Sequence, residues 1–153
     1  MRQSTAPFIQ FHYPYSDFTF RNRTALKQFL IALFKKEKVQ LEGLTYVFCS
    51  DSYLLDINKT FLKHDTYTDI VTFPLSAEGA PVLGEIYISV ERVKENAQTF
   101  KTNFTQELNR VIFHGALHLC GYKDKTKVEA SLMRQKEDEY LGRFLVPRGT
   151  GEV

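Results

Sequence analysis

The stretch NFTQELNRVIFHGALHLCGYKD, residues Asn103 to Asp124, decides how the chain is read. Phe104, Leu108, Val111, Ile112 and Leu119 recur at helical spacing and form an apolar stripe. Glu107, Arg110, His114 and His118 share a neighbouring face, each about one turn from the next. Asn103 with Gln106 makes a capping box at one end, and Gly121 is the usual residue just past the other. The two imidazoles therefore point the same way, and an i, i+4 pair lets two ring nitrogens reach one ion about 2 Å from each. Gly121 can take a positive φ and reverse the chain, so Asp124 can fold back toward His114 and His118 as a third ligand. Asp124 has a second possible role as the cap of the following helix; Thr126, paired with Glu129, caps that helix equally well. Cys120 is the poorer ligand, because residues two apart on a helix diverge. Gly115 occupies the position where HExxH peptidases carry their catalytic glutamate, which disfavours a peptidase of that kind.

Outward from this helix, PFIQFHYP (Pro7–Pro14) reads as a short strand bounded by prolines. Leu26, Phe29, Leu30, Leu33 and Phe34 predict an amphipathic helix from Asn22 to Lys36. Leu44–Cys49 is β-branched and aromatic, a buried strand, and Ser50 or Asp51 then caps a helix whose inward residues are Leu54, Ile57, Phe61 and Leu62. Thr68–Pro74 is a second clear strand. After a Gly/Pro loop, Ile86 and Ile88 alternate with Glu85 and Tyr87 in a third. Ser89 caps a helix to Thr99, and the last helix turns Val128, Leu132, Met133 and Leu141 inward. The order β, α, β, α, β, β, α, α, α is neither a strict βαβ alternation nor a bundle. It predicts a single α+β domain over residues 1–153, with a small mixed sheet of about four strands packed by about five helices.

At 153 residues the chain is long enough to bury a core without disulfides, and Cys49 and Cys120 form no framework or CxxC pair; both are expected to be reduced and buried. The opening residues lack the apolar core of a secretory signal, and no apolar run approaches the ~20 residues of a membrane span, so a cytosolic protein is expected. A net charge of +2 excludes the strongly basic body of a nonspecific nucleic-acid binder. Local lysines occur at Lys35, Lys36 and Lys38, at Lys59 and Lys63, and at Lys123, Lys125 and Lys127; those closing a helix simply complement its dipole.

HGALHLCGY followed by a ligand two residues on resembles the signature of the YbeY endoribonucleases, the rRNA maturation factor family, in which the motif continues to a third histidine. YTDIVTFP (Tyr67–Pro74) and LGEIYIS (Leu83–Ser89) are similar to two further blocks of that family, and Asn58 and Asp65 align with a fourth. Order and spacing agree from about residue 44 to 141. The resemblance implies an α+β domain with a zincin-like metal-site helix. It also implies zinc held by His114, His118 and Asp124, and metal-dependent endonucleolytic cleavage of single-stranded RNA. The substrate it implies is ribosomal RNA near the 3′ end of the small-subunit molecule, in rRNA maturation and ribosome quality control, with the small subunit or its precursor as partner and neither DNA nor membrane expected.

Two positions depart from the family pattern. Asp124 stands where the family has histidine, which lowers the positive charge of the site and widens the metal choice toward Mn or Mg. Leu62 stands where the family commonly has an arginine suited to phosphate, leaving Lys63, His64, Arg110 and Lys123 as the substrate-binding cations. Asp69, Glu85 and Glu107 are the acidic candidates for a general base, and Phe73, Tyr87 and Tyr67 for base stacking. Leu62 also admits a different class of protein, a metal-stabilised ribosome-assembly module with little nuclease activity. The metal site alone allows a hydrolase of another ester or amide.

Overall fold

The computed structural model describes residues 6–14, 22–62 and 68–150. The elements are β1 (Phe8–His12), α1 (Arg23–Lys36), β2 (Leu41–Cys49), α2 (Asp51–Leu62), β3 (Ile70–Pro74), β4 (Val82–Ser89), α3 (Val90–Thr99), α4 (Phe104–Leu119) and α5 (Lys127–Thr150), in the predicted order. Local chemistry starts the helices where the sequence places the signals. Backbone N–H groups donate to capping side chains: Tyr53 to Ser50 Oγ at 3.1 Å, Arg92 to Ser89 Oγ at 3.1 Å and Gln106 to Asn103 Oδ1 at 2.7 Å. Before α5, the Glu129 N–H donates to Thr126 Oγ1 at 3.1 Å, and the Glu129 carboxylate accepts from the Thr126 and Lys125 N–H groups. This capping box makes Thr126 the cap and leaves Asp124 to the turn before it.

The strands form one four-stranded sheet in the order β1-β2-β4-β3, with β1, β2 and β4 parallel and β3 antiparallel to β4. Because side chains alternate along a strand, Leu44, Tyr46, Phe48, Ile86 and Ile88 all face one side, where they pack with α1, α4 and α5 as the main core. Cys49, Val71 and Leu54 form a smaller cluster on the other side, beneath α2. Helix α4 lies against the main face and is buried around most of its girth, with Leu108, Ile112, Phe113, Ala116 and Leu117 all inside. The Tyr46 hydroxyl, itself in the core, donates to the Ile112 carbonyl at 2.9 Å and ties β2 to this helix. Cys49 is buried and Cys120 half-buried, and both are free thiols that burial pushes up to about 12.

Four residues read as inward are not. Phe61 and Leu62 are 66% and 39% exposed, because the inward face of α2 closes with Leu54 and Asn58, and the last turn meets the sheet only through a T-shaped Phe61–Phe73 contact. Val128 and Leu132 are 79% and 45% exposed. The buried stripe of α5 runs through Met133, Glu137, Tyr140, Leu141 and Phe144, and Leu132 sits about 100° around the helix from Met133.

Gly115 has a packing role. A Cβ there would lie 3.0 Å from both Ile70 Cδ1 and Ile86 Cγ2, so glycine lets α4 press onto β3 and β4. A glutamate at this point would be driven into the apolar sheet, which is why the peptidase arrangement has no room here. Gly115→Leu is expected to lower stability by about 1–3 kcal/mol through overpacking, read as a shift in the urea midpoint. A parental midpoint would show that α4 can lift without cost.

Candidate active site

His114 and His118 leave α4 on one face, a turn apart. Past the C-cap Cys120, Gly121 adopts φ +111°, the Tyr122 N–H donates back to the Leu117 carbonyl at 3.1 Å, and the chain reverses. The reversal brings Asp124 Oδ2 to 3.2 Å from His114 Nε2. His114, His118 and Asp124 line one open cleft together with Asn58, Leu62 and Thr72.

Each imidazole is held from behind through Nδ1. His118 Nδ1 is 3.0 Å from the Tyr122 carbonyl oxygen, which can only accept, so the proton is on Nδ1 and the Nε2 lone pair is released. His114 Nδ1 is 2.6 Å from Glu137 Oε2. Its other nitrogen faces a second carboxylate. Burial opposes the charged ring, but Glu137, Asp124 and Asp69 outweigh it and raise the His114 pKa above the ordinary histidine value. An imidazole donating to Glu137 and facing Asp124 needs something positive between Nε2 and Oδ2, either its own proton or a cation. Two ligands each about 2.0–2.1 Å from a tetrahedral zinc stand about 3.3 Å apart, close to the observed 3.2 Å. The donor set thus fits a metal ion, with backbone and carboxylate partners behind the histidines of the kind metal sites use. As the side chains stand, no three His, Cys, Asp or Glu groups among the described residues are gathered at ion-holding distances. His114 and Asp124 supply the close pair, and His118 lines the same cleft.

The other predicted residues divide. Arg110, read as a cation for substrate, is engaged elsewhere: its guanidinium donates to Glu137 Oε1 at 3.0 Å and to Asp138 Oδ1 at 2.7 Å. It holds the carboxylate that holds His114. Asp69 lines both the His118 cleft and an adjoining one that contains Glu107, Arg134 and Glu137. Asp69 accepts from Asn96 Nδ2 at 3.2 Å, and burial raises its pKa. Burial likewise raises that of Glu107. Glu85 instead accepts from the Tyr87 hydroxyl at 3.0 Å and lines neither cleft. Phe73 and Tyr87 pack on each other beside α2, also outside both clefts. Lys123 lines neither cleft but a separate pocket, together with Glu37, Tyr122 and Glu129. Lys63, His64, Asp65 and Tyr67 lie outside the described residues.

Sequence reading missed Glu137, which is 5% exposed and the nearest partner of His114. Its signal was present: the spacing of Met133, Glu137, Tyr140 and Leu141 puts a carboxylate inside the apolar stripe of α5.

Comparison with known proteins settles the family. Residues 10–145 match the family described as Endoribonuclease YbeY. This chain belongs to that endoribonuclease family. Among YbeY proteins, that of Flavobacterium psychrophilum is 46% identical over 138 residues, covering 90% of this chain and 97% of its own. That of Cytophaga hutchinsonii is 48% identical over 126 residues, covering 82% and 88%. The fold is also that of a Thermotoga maritima protein known from a solution structure, with a TM-score of 0.64 at 28% identity over 95% of this chain and 93% of the other. In this YbeY-family chain, the Arg110–Glu137 pair is expected to hold the helix pair α4/α5 together. Arg110→Ala leaves the buried Glu137 carboxylate with His114 at 2.6 Å and Arg134 only at 3.9 Å, and should cost about 1–3 kcal/mol in urea unfolding, whereas removing both charges together should cost less. Equal stability of Arg110→Ala and the parent would show that the pair holds nothing.

Proposed function

We propose that this endoribonuclease cuts single-stranded RNA in the cleft between α2, β3 and α4, using a divalent ion, zinc in the first instance, held by His114, His118 and Asp124. The observation that supports this reading is the facing pair His114 Nε2 and Asp124 Oδ2 at 3.2 Å, with both histidine Nδ1 atoms occupied from behind. When bound, the ion would polarise a phosphoryl oxygen and lower the pKa of a coordinated water. The protein's own groups do the rest. Glu137 and the Tyr122 carbonyl keep the two rings turned into the cleft, as outer partners of metal ligands do. Asp69, at the junction of the two clefts and with a raised pKa, is placed to accept the proton of the attacking water or ribose hydroxyl.

The carboxylate ligand leaves Mn and Mg as further candidates for the ion. The substrate we propose is ribosomal RNA near the 3′ end of the small-subunit molecule, met on the small subunit or its precursor in the cytoplasm. Lys63 and His64 are the proposed phosphate-facing cations, since Arg110 is held by two carboxylates and Lys123 lines a separate pocket. Leu62, which lines the cleft and is 39% exposed, favours a second reading in which the domain assists ribosome assembly with little cleavage.

Zinc-loaded protein is expected to cleave single-stranded RNA, with the His114→Ala/His118→Ala double variant at least ~100-fold slower. Unchanged cleavage by the double variant would sink the metallonuclease reading, and full, tight metal occupancy in Asp124→Ala would remove Asp124 from the ligand set. Leu62→Arg places a guanidinium on the cleft wall and should tighten RNA binding about tenfold, with the effect shrinking as salt rises. If binding and its salt dependence stay at parental values, the cleft wall at Leu62 does not meet phosphate.

A further inference from the structure

Glu37 is the C-cap of α1, distant in sequence from the cleft, and three groups from the other side of the fold converge on its carboxylate. The Tyr122 hydroxyl donates to Oε1 at 2.7 Å, the Tyr140 hydroxyl donates to Oε2, and Lys136 Nζ lies 3.1 Å from Oε2. The Lys136 ammonium also sits over both rings, 5.7 Å from the centre of Tyr122 and 5.5 Å from that of Tyr140. Burial would raise the Glu37 pKa, but these donors outweigh it and hold the carboxyl below its usual value, so it stays an anion. The end of α1 sets its place: the Glu37 N–H donates to Leu33 O, and Lys38 turns the chain away at φ +61°.

Tyr122 belongs to the turn that builds the cleft, and it is fixed at three points. Its N–H is on Leu117 O, its carbonyl is on His118 Nδ1, and its hydroxyl is on Glu37. The first two bonds are made within the turn itself, beside a Gly121 around which space is open. The third ties the turn to the end of α1, alongside the packing of the Tyr122 ring on the main core and beneath Lys136.

We infer that Glu37 is a positioning residue for the metal centre: through Tyr122 it fixes the carbonyl that keeps His118 in its Nδ1–H form with Nε2 toward the cleft. The inference rests on the assignment of His118 as a ligand under the proposed function. Its first readout, the protonation site of the His118 ring in metal-free protein, does not use that assignment, so failure of one is distinguishable from failure of the other.

Nitrogen-15 NMR of the metal-free parent should show His118 as a single Nδ1–H form. Tyr122→Phe and Glu37→Gln should show the two ring forms mixed, and zinc measured against a competing chelator should bind about tenfold more weakly, within the range seen when outer partners of metal ligands are removed. Tyr140→Phe removes another arm of the cluster without touching Tyr122; it should lower the melting temperature while leaving the His118 ring in the parental form. A folded Tyr122→Phe or Glu37→Gln protein with the parental His118 form and parental zinc affinity would overturn the inference. So would mixing of the ring forms as large in Tyr140→Phe as in Tyr122→Phe, which would mean general loosening of the fold.

Discussion

His114 between two carboxylates is the constraint around which the cleft is built. Glu137 approaches Nδ1 to 2.6 Å and Asp124 approaches Nε2 to 3.2 Å, and one ring cannot satisfy both as a neutral base. Each carboxylate arrives by a different device. Glu137 is carried on the inward stripe of α5 and gripped by Arg110 from α4 itself. Asp124 is delivered by the reversal at Gly121 and left available because Thr126 takes the capping position. The packing of α5 on α4, the positive φ of one glycine and the choice of one cap therefore meet at a single imidazole.

Gly115 is the counterpart on the sheet-facing side of the helix, about 100° around from His114. Absence of a side chain there lets α4 settle on Ile70 and Ile86, and His114, the residue before it, leaves the helix where the cleft wall begins. The same glycine that argues against a peptidase in the sequence is a close-packing residue in the structure. One physical fact, the approach of helix to sheet, accounts for both.

Most of the architecture was legible in the sequence because it is written in local signals. Caps at Ser50, Ser89, Asn103 and Thr126 and the strand runs Leu44–Cys49 and Ile70–Pro74 need only near neighbours, and the element order follows from them. What was misread depends on distant partners. Phe61, Leu62, Val128 and Leu132 are apolar residues on helices whose inward arc is narrower than their apolar arc, and only the position of the sheet and of α4 says where that arc ends. Arg110 reads as a substrate cation in the sequence because its acids lie 27 and 28 residues away on α5. Glu137 and Glu37 escaped notice for the same reason: a carboxylate in a helix reads as solvated until its buried donors are placed around it.

The electrostatics of the cleft bear on how an RNA could enter it. Asp69, Glu107, Asp124 and Glu137 line the adjoining cleft on the α5 side against His114 and two guanidiniums, Arg110 and Arg134, and Arg110 is already paired with Glu137 and Asp138. A phosphodiester approaching this wall meets excess negative charge, the opposite of what a polyanion needs. The Asp124 carboxylate adds to that excess, and Leu62 offers nothing to offset it on the α2 side. Under the proposed function, a divalent ion at His114, His118 and Asp124 would reverse that sign at the cleft. In this chain the ion would then serve binding as much as chemistry. Glu137 and the Tyr122 carbonyl would gain weight accordingly, because their contacts with both Nδ1 atoms leave the two Nε2 atoms for such an ion.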